Sequence, residues 1–125
     1  MLPATFPRQA RLLTSRQFNT VFSDNNCRVA HPNLLLLANP NSLDHPRLGL
    51  IVAKKHVRTA VKRNRIKRVV RESFRQSQHE LGGVDVIFLA RPGITALSRS
   101  EQTQLLQQSW RKLADRLSKL AVAQS

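Results

Sequence analysis

Between residues 54 and 75, ten of 22 side chains are Lys or Arg (Lys54, Lys55, Arg58, Lys62, Arg63, Arg65, Lys67, Arg68, Arg71 and Arg75), and only Glu72 opposes them. Such a stretch limits what the chain can become, because cations in this number cannot be buried together while the apolar residues among them need cover. Helical phasing satisfies both demands. Ile66, Val70 and Phe74 fall on one face with Ser73 and Ser77, whereas Asn64, Arg68, Arg71 and Arg75 line another at steps of four, three and four. The segment is therefore predicted to be a helix over about 59–78, ending before Gly82 and Gly83, with a core side and a polyanion side. A solvated face of ordinary type would mix its signs; this one does not. Guanidinium forks match phosphate oxygens, and Asn64 adds a donor and an acceptor suited to a base edge or a ribose hydroxyl.

The rest of the chain reinforces the bias. Its 21 Lys and Arg against 7 Asp and Glu give +14 over 125 residues, a field that draws nucleic acid or an anionic membrane from a distance. The longest apolar run, 34–38, is too short to span a bilayer, and residues 1–8 lack the charged start and apolar run of a signal peptide. No membrane partner and a cytoplasmic location are expected. The length suits one domain, 1–125, with one modest core and flexible ends at 1–12 and 122–125. Cys27 is alone, so it cannot form an internal disulfide, and it is given no role.

Around the basic helix the pattern predicts a small α/β sandwich (α+β) in the order α-β-β-α-β-α. A first helix begins at Thr14, capped by its hydroxyl with Gln17 reaching back, and ends at about 22–24; Leu13 and Phe18 occupy staple positions. A polar loop follows. Residues 33–39 read as a buried strand and 40–46 as a connection. In 47–53, Leu48, Leu50 and Val52 point one way and Gly49, Ile51 and Ala53 the other. A third strand spans 84–90. Ser98 and Glu101 form a capping box for a last helix reaching about 121, whose stripe of Leu106, Trp110, Leu113, Leu117 and Leu120 favours packing on the sheet over a short coiled coil.

The run Val61-Lys62-Arg63-Asn64-Arg65-Ile66-Lys67-Arg68-Val69-Val70-Arg71-Glu72-Ser73-Phe74-Arg75, preceded by Gly49-Leu50-Ile51-Val52-Ala53-Lys54-Lys55, resembles the signature of the bacterial ribonuclease P protein component family. The early helix with Phe18 and Phe22 and the closing helix extend the likeness over nearly the whole chain. The resemblance implies the small subunit of a ribonucleoprotein that removes the 5′ leader from precursor tRNA, with cleavage performed by the RNA subunit and its bound magnesium. It implies no cofactor on the protein itself, no catalytic residue in it, and no obligate protein partner. It also implies a left-handed crossover through the basic helix, contrary to the usual rule.

By that resemblance Arg63, Asn64, Arg65, Lys67, Arg68 and Arg71 should meet the catalytic RNA, with Lys54, Lys55, Arg58, Lys62 and Arg75 extending the surface. Phe18 and Phe22, four apart on one helix face, should line a separate cleft for the single-stranded leader, where aromatic faces stack on unpaired bases with little sequence preference. Relatives often carry an aromatic residue in the first strand. Here that strand offers Leu34 to Leu37, of which Leu36 is assigned to the cleft, so apolar contact replaces one stacking contact.

No residue pattern contradicts that division of labour. The acids include no DxD or ExD pair, and His31, His45, His56 and His79 lack metal-ligand spacing. The rival readings are a structural ribosomal RNA-binding protein, a DNA-binding helix-turn-helix, which the flanking strands disfavour, and a self-sufficient nuclease.

Overall fold

The computed structural model describes residues 10–12 and 14–124. The first helix, α1 (Ser15–Asp24), starts where its cap dictates: Thr14 Oγ1 accepts the Gln17 N–H at 3.1 Å, and Gln17 Oε1 accepts the Thr14 N–H at 3.1 Å. Two donors that no helical carbonyl could reach are thereby satisfied. Leu13, the expected staple partner of Phe18, lies outside the described residues. There follow β1 (Cys27–His31), β2 (Leu34–Pro40), β3 (Arg47–Ile51), α2 (Ala60–Leu81), β4 (Val84–Ala90), a 3-10 turn at Ile94–Ala96, and α3 (Arg99–Gln124).

β1 corrects the expected polar loop, and the order becomes α-β-β-β-α-β-α. Cys27 and Val29 are buried while Arg28 and Ala30 are exposed, so the strand alternates over too few residues to stand out among polar neighbours. Its stability is nonlocal. It turns through Pro32 and Asn33 and pairs antiparallel with β2, from Cys27 opposite Ala38 to His31 opposite Leu34. The other expected elements form within a few residues of their predicted ends.

The sheet runs β1-β2-β4-β3, with β4 antiparallel to β2 and parallel to β3. α2 carries the chain from β3 to β4. On one face of the sheet Leu34, Leu36, Ala38, Leu48, Val86 and Phe88 meet Ile66, Val70 and Phe74 of α2 and Leu106, Trp110 and Leu113 of α3. Ser73 lies on this face because Trp110 Nε1 donates to its Oγ at 2.8 Å, and the Trp110 and Phe74 rings meet edge to face at 5.6 Å. The closing helix thus packs on the sheet as expected, with Leu117 and Leu120 partly buried at its margin. The opposite face is smaller: Val21 of α1 and Leu12 cover Leu37 and Ile87, and Phe18, Leu35, Ile51 and Leu89 flank them.

α2 runs three residues past its predicted end and stops at Gly82, whose φ of +69° is costly for any residue with a Cβ and whose N–H donates to Gln78 O. Residues 10–12, expected to be part of a flexible end, are instead fixed. Ala10 and Leu12 are buried, Arg11 bridges Leu48 in parallel, and the Leu12 N–H donates to Leu48 O at 3.1 Å. They cover the open edge of β3. Residues 122–124 continue α3, and residues 1–9 lie outside the described part.

Candidate nucleic-acid interface

α2 sends its cations in three directions. Arg68 and Asn64 stand exposed on the outer face, as the phasing requires. Arg75 shares that exposure but forms a two-pronged ion pair with Glu72, at 3.1 and 2.6 Å. The pair holds the Glu72 carboxyl below its usual range and raises the Arg75 guanidinium above its own. Such an exposed pair is worth little and can be exchanged for another anion at small cost.

Arg63 behaves differently from its neighbours. It is half-buried, and its Nη1 donates to the carbonyls of Val57 and Arg58, at 3.0 and 2.9 Å. Those bonds tie the start of α2 to the segment before it, where Val57 is buried as an anchor and Lys54, Lys55 and Arg58 are exposed. Thr59 completes the junction by accepting the Lys62 N–H. A residue expected to touch RNA thus also shapes the loop that presents three other cations.

Lys67 and Arg71 turn toward the sheet edge and enter a cleft of about 190 Å³ lined by Phe18, Gly49, Arg11 and Leu50. Burial lowers the proton affinity of the Arg71 guanidinium, and the neighbouring charge of Arg11 lowers it further. Like charges held together in a partly desolvated hollow favour an anion between them. Phe18 forms the apolar wall. Its ring lies so close over Gly49 that a Cβ there would meet it at 2.6 Å, which accounts for glycine in the middle of β3. One turn along α1, Phe22 is 42% exposed, far from a core ring, whereas Phe18 is half-buried.

Leu36 does not belong to this cleft. Strand alternation turns it to the opposite face, where it is wholly buried under α2 and α3. Leu35, two residues before the buried Leu37, is the half-buried β2 residue on the α1 side, and the register pairs it with Leu89 of β4, which in turn pairs with Ile51 of β3, an apolar row across the sheet. Sequence reasoning missed Leu35, Ile51, Leu89 and Arg11. The alternation assigned in 47–53 already holds the signal for the strand residues, once β3 and β2 are registered through β4. Arg11 had none, since its position rests on a contact with Leu48 far along the chain.

Lys62 and Arg65 flank the third side of α2, toward the start of α3. Among the described residues no three His, Cys, Asp or Glu side chains gather as a metal site, and no helix is long and apolar enough to cross a membrane.

Residues 6–114 match the family model described as Ribonuclease P. The ribonuclease P protein component of Azotobacter vinelandii is 47% identical over 114 residues, covering 91% of this chain and 88% of the relative. That of Pseudomonas aeruginosa is 47% identical over 113 residues, covering 90% and 84%. Among solved structures, a Staphylococcus aureus RNase P protein mutant with defective mRNA degradation activity superposes with a TM-score of 0.73 at 27% identity, over 89% of this chain and 90% of that one. The Thermotoga maritima RNase P protein gives 0.64 at 27% identity, over 78% and 96%.

Proposed function

The chain belongs to the ribonuclease P protein family, and from that premise we propose how its two surfaces divide the handling of RNA. It is the protein subunit of an RNA-cleaving ribonucleoprotein, and its partner is ribonuclease P RNA. Family membership sets aside the ribosomal alternative.

In the proposed reading the exposed cations of α2 and its preceding loop (Lys54, Lys55, Arg58, Lys62, Arg65 and Arg68, with Arg75 recruited from its ion pair) neutralise phosphates of the catalytic RNA, and the exposed amide of Asn64 hydrogen-bonds among them. Arg63 holds that loop in position. The leader of precursor tRNA lies in the other surface, with bases against Phe18, Phe22 and the row of Leu35, Leu89 and Ile51, and a backbone phosphate among Arg11, Lys67 and Arg71. The observation that carries this reading is the cleft in which Phe18 stands beside Lys67 and Arg71. An unpaired strand needs a stacking surface and a cation within one nucleotide of each other, and this hollow offers both.

The chemistry of cleavage is assigned to the RNA and to magnesium held by it. The cleft suits no bare divalent cation, since its charged residues are Arg11, Lys67 and Arg71 and such ions require oxygen ligands. The protein's contribution is then positional. It lowers repulsion where two RNAs meet and holds the leader, so that precursor binds better than mature tRNA, which has none. Stacking is worth about 1–3 kcal/mol per base, so two rings give a preference of about thirtyfold or more. The test is cleavage of precursor tRNA at physiological magnesium by the catalytic RNA with and without this protein, and by the protein alone. Acceleration by the protein, with no cleavage by protein alone, is expected. Cleavage by the protein free of RNA would overturn the reading.

A further inference from the structure

On the side of α2 turned away from Phe18, a second cleft of about 240 Å³ opens between the first turns of α2 and the start of α3. Lys62 and Arg65, three residues apart on α2, form one wall. Arg99, the first residue of α3, reaches it from the other, and Thr95 of the 3-10 turn stands at its rim. Its charged lining residues are these three cations alone. The nearby acid is otherwise engaged, because Glu101 Oε1 accepts the Ser98 N–H at 2.8 Å in the capping box.

The hollow is also built to keep its shape. Gln102 is buried behind it, and its Nε2 donates to Ile94 O at 2.9 Å, bracing the turn against α3. Ile66 forms a buried floor and Ile94 anchors the turn. The backbone of both walls is therefore held before any ligand arrives, which leaves only the exposed side chains of Lys62, Arg65 and Arg99 to be ordered on binding. Three like charges facing one preformed hollow repel one another until an anion enters.

We propose that this cleft seats a backbone phosphate of the catalytic RNA, extending the RNA interface from α2 across to α3 with Arg99 as a contact outside the α2 motif. The inference rests on the reading of α2 as the surface for catalytic RNA. Two features assign the phosphate to that RNA and not to the leader. No aromatic residue lines the cleft, so it grips backbone without stacking bases, and the body of α2 separates it from Phe18. A folded RNA with its bases paired presents backbone of this kind.

The experiment titrates the full chain with ribonuclease P RNA over a series of potassium chloride concentrations. Arg99→Ala is compared with Arg68→Ala on α2 and with Arg111→Ala, an exposed cation farther along α3 that serves as the control for lost charge. Arg99→Ala should weaken binding about fivefold and flatten the log–log salt dependence by about one ion, well beyond Arg111→Ala. Thr95→Glu plants a carboxylate on the exposed rim with every cation in place, and it should weaken binding as well. Precursor tRNA affinity of the particle assembled at saturating protein should stay the same. If Arg99→Ala matches Arg111→Ala, or Thr95→Glu has no effect, while Arg68→Ala still weakens binding, the extension to α3 is overturned and the reading of α2 stands. If Arg68→Ala is also without effect, the reading of α2 itself fails. A loss confined to precursor tRNA binding would overturn the assignment to catalytic RNA.

Discussion

The two clefts that flank α2 share a wall and differ in what faces it. Toward the sheet edge, Lys67 and Arg71 stand opposite a phenylalanine ring, and Arg71 is partly desolvated beside Arg11. Toward α3, Lys62 and Arg65 stand opposite another cation in a hollow without an aromatic. In the proposed reading one helix thus offers a surface for an unpaired strand and a surface for backbone alone. The difference arises from the partners and not from α2, whose sequence is equally basic on both flanks. A ring supplies contact that salt does not screen, while a cation in water loses its hold as counterions compete. Each cleft holds three cations and should weaken with salt, but only the one at Phe18 should keep a share of its affinity that salt does not screen and that depends on the leader.

That contrast can be broken most visibly at the aromatic side. Replacing both rings, Phe18→Ala with Phe22→Ala, should reduce the preference of the assembled particle for precursor over mature tRNA by about thirtyfold or more, with affinity for catalytic RNA little altered. Circular dichroism decides whether the fold survives; an unfolded variant would return Phe18 to the core. Separating Arg68→Ala from Arg71→Ala should sharpen the comparison. The first should lower affinity for catalytic RNA by several-fold and its salt slope by about one ion, and the second should act chiefly on precursor tRNA binding. Equal effects of both on catalytic RNA would place Arg71 with the outer face.

Smaller effects probe the supports. Gly49→Ala forces a Cβ against Phe18, and the ring must move. A drop of several-fold in precursor preference is expected, at a cost of about 1–3 kcal/mol in stability by chemical denaturation. Arg63→Ala removes two bonds to Val57 and Arg58 and should cost about 1–2 kcal/mol, with weaker binding of catalytic RNA through the loosened loop. At the bottom of the scale, Glu72→Gln releases Arg75 from an exposed pair and should leave stability by chemical denaturation unchanged.

Much of this was legible in the sequence because local chemistry and long-range packing agree there. The Thr14 and Ser98 capping boxes, the phasing of Ile66, Val70 and Phe74, and the strand over Val84–Ala90 each announce themselves within a few residues. What was hidden depends on distant partners. β1 has five residues with two apolar side chains turned inward, and becomes a strand only because β2 pairs with it. Leu36 and Leu35 are alike as residues, and only register against β4 shows that one is core and the other faces α1. Arg11 enters the cleft because residues 11 and 12 run along β3, a pairing no local pattern foretells. Arg63, assigned to RNA contact by the family resemblance, spends one nitrogen on two carbonyls that only a folded loop brings within reach.

The central claim, that the protein grips the leader through Phe18 and its cationic neighbours, is tested most directly by shortening the leader. The affinity of the assembled particle would be measured for precursor tRNAs whose leaders are cut back one nucleotide at a time, with the native protein and with Phe18→Ala plus Phe22→Ala. The native protein should lose affinity in a distinct step as the nucleotides that reach the cleft are removed, and the variant should show that step flattened. Identical profiles from the two proteins, with the variant folded and assembled, would contradict the account.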